Sequence, residues 1–194
     1  AVHLGLFIGA VAALAWAGFS LPWWLRAPGI VVLAFLIFTL YAPLHEATHL
    51  SAFASRRANQ VVAWVTGVIY GYSPGVHTDF HFEHHRHTNH AEDPEKGLSL
   101  PTDLPLRTPL LLVLIGVLGV LPPLHSVALA LAPTSSWDRL EAGWTRPEKR
   151  ARLKRECGLV ALIWLGGGVA TALVHPTLAL DLALAILLAR TMHA

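Results

Sequence analysis

The sequence predicts an all-α integral membrane protein. It would have about four transmembrane helices plus a re-entrant or interfacial helical hairpin, with a cytoplasmic histidine-rich metal site. Three observations predict it. The chain is apolar: of 194 residues 54% are hydrophobic and only 13% charged, with a mean hydropathy of +0.53, against about 25% charged residues in soluble domains. Its charges are also segregated, since residues 2–25, 27–44, 108–137 and 157–180 contain no Asp, Glu, Lys or Arg. A helix needs about 20 apolar residues to cross a bilayer. Finally, six of the 12 histidines (His77, His81, His84, His85, His87 and His90) fall in one short polar stretch.

The elements follow in order. Residues 3–21 read as a first span, since a signal peptide would need a basic n-region and a small-residue cleavage site that are missing here. "SLPWWLR" closes it as a turn, with Trp23 and Trp24 as an interfacial belt. A second span starts near Pro28 and runs through "GIVVLAFLIFTLYAPL" into His45-Glu46-Ala47-Thr48-His49 at its far end. Arg56 and Arg57 follow at once, so the positive-inside rule puts this end in the cytoplasm. Residues 61–76 are apolar but broken by Gly67, Gly71, Pro74 and Gly75, which suits an interfacial helix better than a clean span.

Residues 108–132 are long enough to cross once. Crossing would leave the basic run of 138–156 outside, so a re-entrant hairpin turning at Pro122-Pro123 is expected, with both ends cytoplasmic. Residues 157–174 then form an outward span, "VHPT" turns the chain, and "LALDLALAILLAR" returns. The basic run 146–155 reads as a topology anchor. An acidic redox partner or anionic lipid is the second reading. The formal charge of +2, with basic residues flanking apolar segments, does not indicate nucleic acid. A single cysteine, Cys157, excludes an intramolecular disulfide.

The chemistry lies in two histidine groups. His45 and His49 are four residues apart and share a helical face. In "HFEHH", His81, His84 and His85 stand at i, i+3 and i+4 and share another. Imidazole suits iron, zinc and copper, and so many buried rings need metal or hydrogen bonds to satisfy them. A mononuclear catalytic zinc takes three protein ligands; five candidates suit a two-metal centre instead.

The two boxes, HEATH and HFEHH, with the continuation "RHTNHAEDPEKG", resemble the first two histidine boxes of the integral-membrane fatty acid desaturase superfamily. That superfamily includes acyl and carotenoid hydroxylases and ketolases. Its pattern is H-x(3,4)-H, then H-x-x-H-H, then a second H-x-x-H-H near the C-terminus. The match is close over 41–97 and loose in the hydrophobic layout. The resemblance implies two iron ions ligated by His45, His49, His81, His84 and His85 on the cytoplasmic side, with O2 as co-substrate. It also implies an acyl lipid or acyl thioester substrate, most simply desaturated, and a separate ferredoxin-like or cytochrome electron donor. Glu46, His87, Asn89, His90 and Asp93 are the candidates to orient the ligand imidazoles.

No third H-x-x-H-H follows residue 90, so the chain reads as one membrane-embedded desaturase-like domain over 1–194, C-terminally incomplete and expected to be inactive alone. Two other classes compete. An intramembrane zinc protease would use HEATH, with Glu46 as base and Asp181 as a distant ligand, but leaves HFEHH unexplained. A metal transporter would spread its histidines through the spans.

Overall fold

The computed structural model describes residues 2–95, 121–141 and 144–192, and these residues form helices with no strand among them. The apolar first segment makes α1, Val2–Ala17. Pro22 is extended, and α2, Trp23–Thr39, starts directly after it. Trp23 and Trp24 are therefore the first turn of a helix and not the expected loop, because proline just before a helix presets its start. After Leu40 the chain continues as α3, Tyr41–Thr48, which carries the first histidine box. Then come α4, Arg56–Tyr70, and α5, Pro74–His87, with the second box.

The break between α4 and α5 falls where Gly71 and Pro74 predict it. Gly71 adopts φ +83°, and Tyr72 N–H reaches back to Gly67 O at 2.8 Å, the left-handed helix closure that glycine allows at least cost. Ser73 caps α5 by accepting from Val76 N–H, and Pro74 opens it.

The expected hairpin over 108–132 lies largely outside the described residues. What is described is α6, Leu121–Leu131. A short 3-10 turn, Thr134–Ser136, leads into α7, Trp137–Glu141. The next helix, α8, runs Pro147–Val174 and absorbs the basic run expected as a connecting segment. Its residues after Pro147 are mostly good helix formers, and Arg152 pairs with Glu156 one turn on at 3.6 Å. Finally α9 covers Pro176–Thr191. Two described helical stretches, Trp23–Thr48 with 26 residues and Pro147–Val174 with 28, are long and apolar enough to cross a bilayer.

The chain divides into two packed units. In the first, α2 packs against both α1 and α9. His3 Nε2 at 3.0 Å from Leu36 O, and His175 Nε2 at 2.7 Å from Ala15 O, tie the helix ends. Leu14, Leu33, Ala34, Ile37, Ala185 and Ala189 fill the seam. Arg26 and Asp181 meet inside it, with Nε to Oδ2 at 2.8 Å and Nη2 to Oδ1 at 3.2 Å. Leu6, Ile8, Trp16, Val32 and Phe35 point outward, a surface suited to hydrocarbon rather than water.

The second unit holds both histidine boxes. Its core is Val76, Leu129, Trp137, Leu153 and Cys157, where α5, α6, α7 and α8 meet. Two side chains of α8 hold α5 in place. Glu156 accepts from Gly75 N–H at 3.1 Å and from Ser73 Oγ at 3.3 Å, and Lys149 Nζ reaches Asp79 at 2.7 Å. Gly75 is required because any Cβ there would collide with Leu153 and Glu156. Other basic residues of the run are used internally as well: Arg150 pairs with Asp138, and Lys154 donates to Ala132 O.

Glu156→Ala should therefore loosen the start of the second box helix by about 1.5–3 kcal/mol, the usual weight of hydrogen bonds to a charged group. Amide exchange of residues 75–79 reads this directly. Unchanged exchange there would mean that packing alone holds α5.

Candidate metal centre

The site is built from the C-terminal end of α3 and the middle of α5. His45 projects from α3, and His49, one residue past its end, stays on the same side because its N–H still bonds His45 O at 3.1 Å. The helix is then closed sharply: Leu50 takes φ +58°, and Ser51 N–H bonds Glu46 O at 3.0 Å. Leucine pays roughly 1–2 kcal/mol for that conformation. Asn59 secures the following loop, with Oδ1 accepting from Phe53 N–H at 3.1 Å and Nδ2 donating to Phe53 O at 2.6 Å. Sequence reasoning gave Asn59 no role, and nothing local marks it, because its partners lie in an irregular loop.

Across from α3, His81 and His85 lie one turn apart on α5. His49 Nε2 is 2.9 Å from His81 Nε2, and His85 Nε2 is 3.0 Å from the same atom. His45 packs edge-on to His81, ring centres 4.6 Å apart. One nitrogen from each of His45, His49, His81 and His85 lies within 4.8 Å of the others. Metal–imidazole bonds of about 2.0–2.1 Å at roughly right angles would place neighbouring nitrogens about 2.9 Å apart. The donor set therefore fits a transition metal, both in chemistry and in spacing.

Charge supports the same conclusion. Burial, and then the neighbouring histidines, pushes His81 down to about 3, and burial together with His45 pushes His77 down to about 4. These rings are neutral at neutral pH, the form that donates a lone pair to a metal.

The other predicted residues separate into distinct positions. His84 is not among the four. Its Nδ1 lies 2.8 Å from Asp93 Oδ1 and its Nε2 3.5 Å from Glu95 Oε2. Asp93 is buried, accepts from Asn89 N–H at 3.0 Å and Glu95 N–H at 2.9 Å, and is held below the usual carboxylate range by His84 first and these amides next. An ionised Asp93 can only accept, so Nδ1 of His84 is the donor in this contact. Glu46 sits 3.4 Å from His45 Nδ1 and accepts from Ser51 Oγ at 2.6 Å, so it too faces a box histidine from the side.

Asn89, at φ +67°, ends the helix and offers its N–H to Asp93. His87 bonds Glu83 at 3.1 Å and Glu92 at 3.2 Å, away from the four nitrogens, and His90 is exposed. Conversely, His77 belongs to the cluster's surroundings although no role was assigned to it. It is buried and its ring stacks on His81, centres 5.6 Å apart. The signal was present in the spacing, since His77 precedes His81 by four. Asp181, the residue a protease reading needs, is held by Arg26 in the other unit.

No curated protein and no solved structure shows significant similarity to this chain. The fatty acid desaturase family model matches residues 21–194, a stretch that contains every helix from α2 onward and both histidine boxes. With its two boxes converged on one set of imidazole nitrogens, this chain belongs to the fatty acid desaturase family.

Proposed function

We propose that this chain is an O2-dependent di-iron oxidoreductase that introduces a double bond into the acyl chain of a lipid or thioester. The convergence of box-one and box-two imidazoles, four nitrogens within 4.8 Å, carries the reading. His45, His49, His81 and His85 would hold metal, and His84, oriented by Asp93, would offer Nε2 to the second ion. Iron so held supplies the oxidising power toward an unactivated C–H bond that no side chain possesses.

The protein's own part is positional. Asp93 accepts from Nδ1 of His84, and Glu46 faces Nδ1 of His45, so ring orientation is set from outside the cluster. The exposed apolar flanks of α1, α2 and α8 support a multi-pass membrane protein of about four spans. The Lys/Arg distribution supports a cytoplasmic metal site. Electrons would come from a separate ferredoxin-like or cytochrome partner.

Metal analysis of the protein purified in detergent should find iron in excess of zinc, approaching two ions per active site. Mass spectrometry of lipids from expressing cells should find products lighter by two hydrogens. One added oxygen would identify a hydroxylase or ketolase of the same family. Zinc near one per chain, with peptidase activity lost in Glu46→Gln, would replace the whole reading with a metalloprotease.

A further inference from the structure

The first histidine box ends on a residue ill suited to its place. Two bonds close the end of α3: Leu50 N–H reaches Ala47 O at 3.1 Å, and Ser51 N–H reaches Glu46 O at 3.0 Å. His49 stands between the helix and Leu50, which is left-handed at φ +58°. Helices that close with this bond pattern place glycine, or else asparagine, at the left-handed position, because a Cβ resists that conformation. Burial does not repay Leu50 for it, since the residue is 47% exposed. The turn must be held from elsewhere.

We propose that Asn59 is a positioning residue for the metal centre: by clasping residues 50–55 it keeps Leu50 left-handed and so fixes His49. The inference rests on the reading of His45, His49, His81 and His85 as metal ligands. Asn59 lies buried on α4. Its Oδ1 accepts from Phe53 N–H at 3.1 Å. Its Nδ2 donates toward Phe53 O at 2.6 Å, Ser55 O at 3.1 Å and Leu50 O at 3.4 Å. A short side chain that both donates and accepts is needed to meet an N–H and carbonyls together. A carboxylate there would face those carbonyl oxygens with no proton to give.

The link to the metal runs through the helix end. Glu46 O and Ala47 O have partners only while the closure holds, and an uncapped last turn frays. His49 is the residue at that end, and its Nε2 stands 2.9 Å from His81 Nε2. A frayed turn would withdraw one imidazole from the cluster and leave α5 untouched.

Cobalt(II), titrated into the detergent-purified protein, tests this through its affinity and its visible ligand-field spectrum. Variants at Leu50 separate positioning from packing. Leu50→Asn should bind cobalt at least as tightly as wild type, because asparagine tolerates the left-handed conformation. Leu50→Val should bind about 10–100-fold more weakly, the usual loss when the support of a ligand histidine is removed, because a β-branched residue resists that conformation. Apolar packing at Leu50 would give the opposite order, with valine above asparagine. Asn59→Asp, which keeps the size and loses the donors, should fall by a similar factor, with a spectrum changed by the loss of one imidazole. Adding Leu50→Asn to it should restore part of the affinity and the spectrum. Wild-type affinity in both Leu50→Val and Asn59→Asp overturns the proposal. So does an Asn59→Asp loss that Leu50→Asn leaves unchanged, which would make Asn59 a support of the fold alone. Should Asn59→Asp fail to fold, the order of the Leu50 variants decides. A wild type that binds no cobalt would remove the metal centre itself and the clasp's role with it.

Discussion

Replacing His81 by alanine should abolish stable metal binding. His81 is the hub of the cluster: its Nε2 is the atom that both His49 and His85 approach, at 2.9 and 3.0 Å, and its ring is 3% exposed. Loss of an outer partner of a ligand histidine costs about 10–100-fold in metal affinity, so loss of the ligand itself should exceed about a hundredfold. A graded series separates this from general damage to the fold. Asp93→Asn, which removes the carboxylate that orients His84, should fall in the 10–100-fold range. His90→Ala, at an exposed position off the cluster, should retain metal. Metal content after dialysis against a competing chelator reads all three. A His81→Ala protein that keeps its full complement would remove the convergence of the boxes as an explanation for anything this chain does.

Asp181→Ala should be the most damaging single change in the first helical unit. Asp181 is 1% exposed and Arg26 7%, and the two are joined by paired hydrogen bonds, with Arg26 Nη1 also donating to Leu21 O at 2.7 Å. Removing the carboxylate leaves a buried cation facing apolar helix surfaces, a loss of about 3–5 kcal/mol. Because a buried ion pair gains little over a well-packed apolar pair, the double variant Arg26→Met/Asp181→Leu should recover most of that loss. Unfolding of the wild type, Arg26→Met, Asp181→Leu and the double variant in mixed detergent completes the cycle. Additive losses in the double variant would show that the two residues stabilise the bundle separately. The same contact explains why an aspartate is tolerated in "ALDLAL": it serves packing between α2 and α9.

Much of the candidate site was legible in the sequence because helical spacing is local. His45 with His49, and His81 with His85, face together as their four-residue separations require, and Gly71 and Pro74 mark the break between α4 and α5. Asp93 stood among the candidates to face a ligand imidazole, but its partner His84 was not named, since the closing loop that brings them together has no periodicity to read. The same rule reached His77, whose spacing placed it beside His81 although no role was given to it.

What the sequence by itself determined is therefore the all-helical class and the pairing of His45 with His49 and of His81 with His85, along with the family they identify. Tertiary structure alone decided which nitrogens share a point, that His84 turns to Asp93 and Glu95, and that Glu156 and Lys149 grip α5. It also decided that Arg26 finds Asp181 across 155 residues of chain. Periodicity in one helix fixes angles around its own axis. It carries no information about the second helix that must supply the partner, and only the packing of apolar faces settles that.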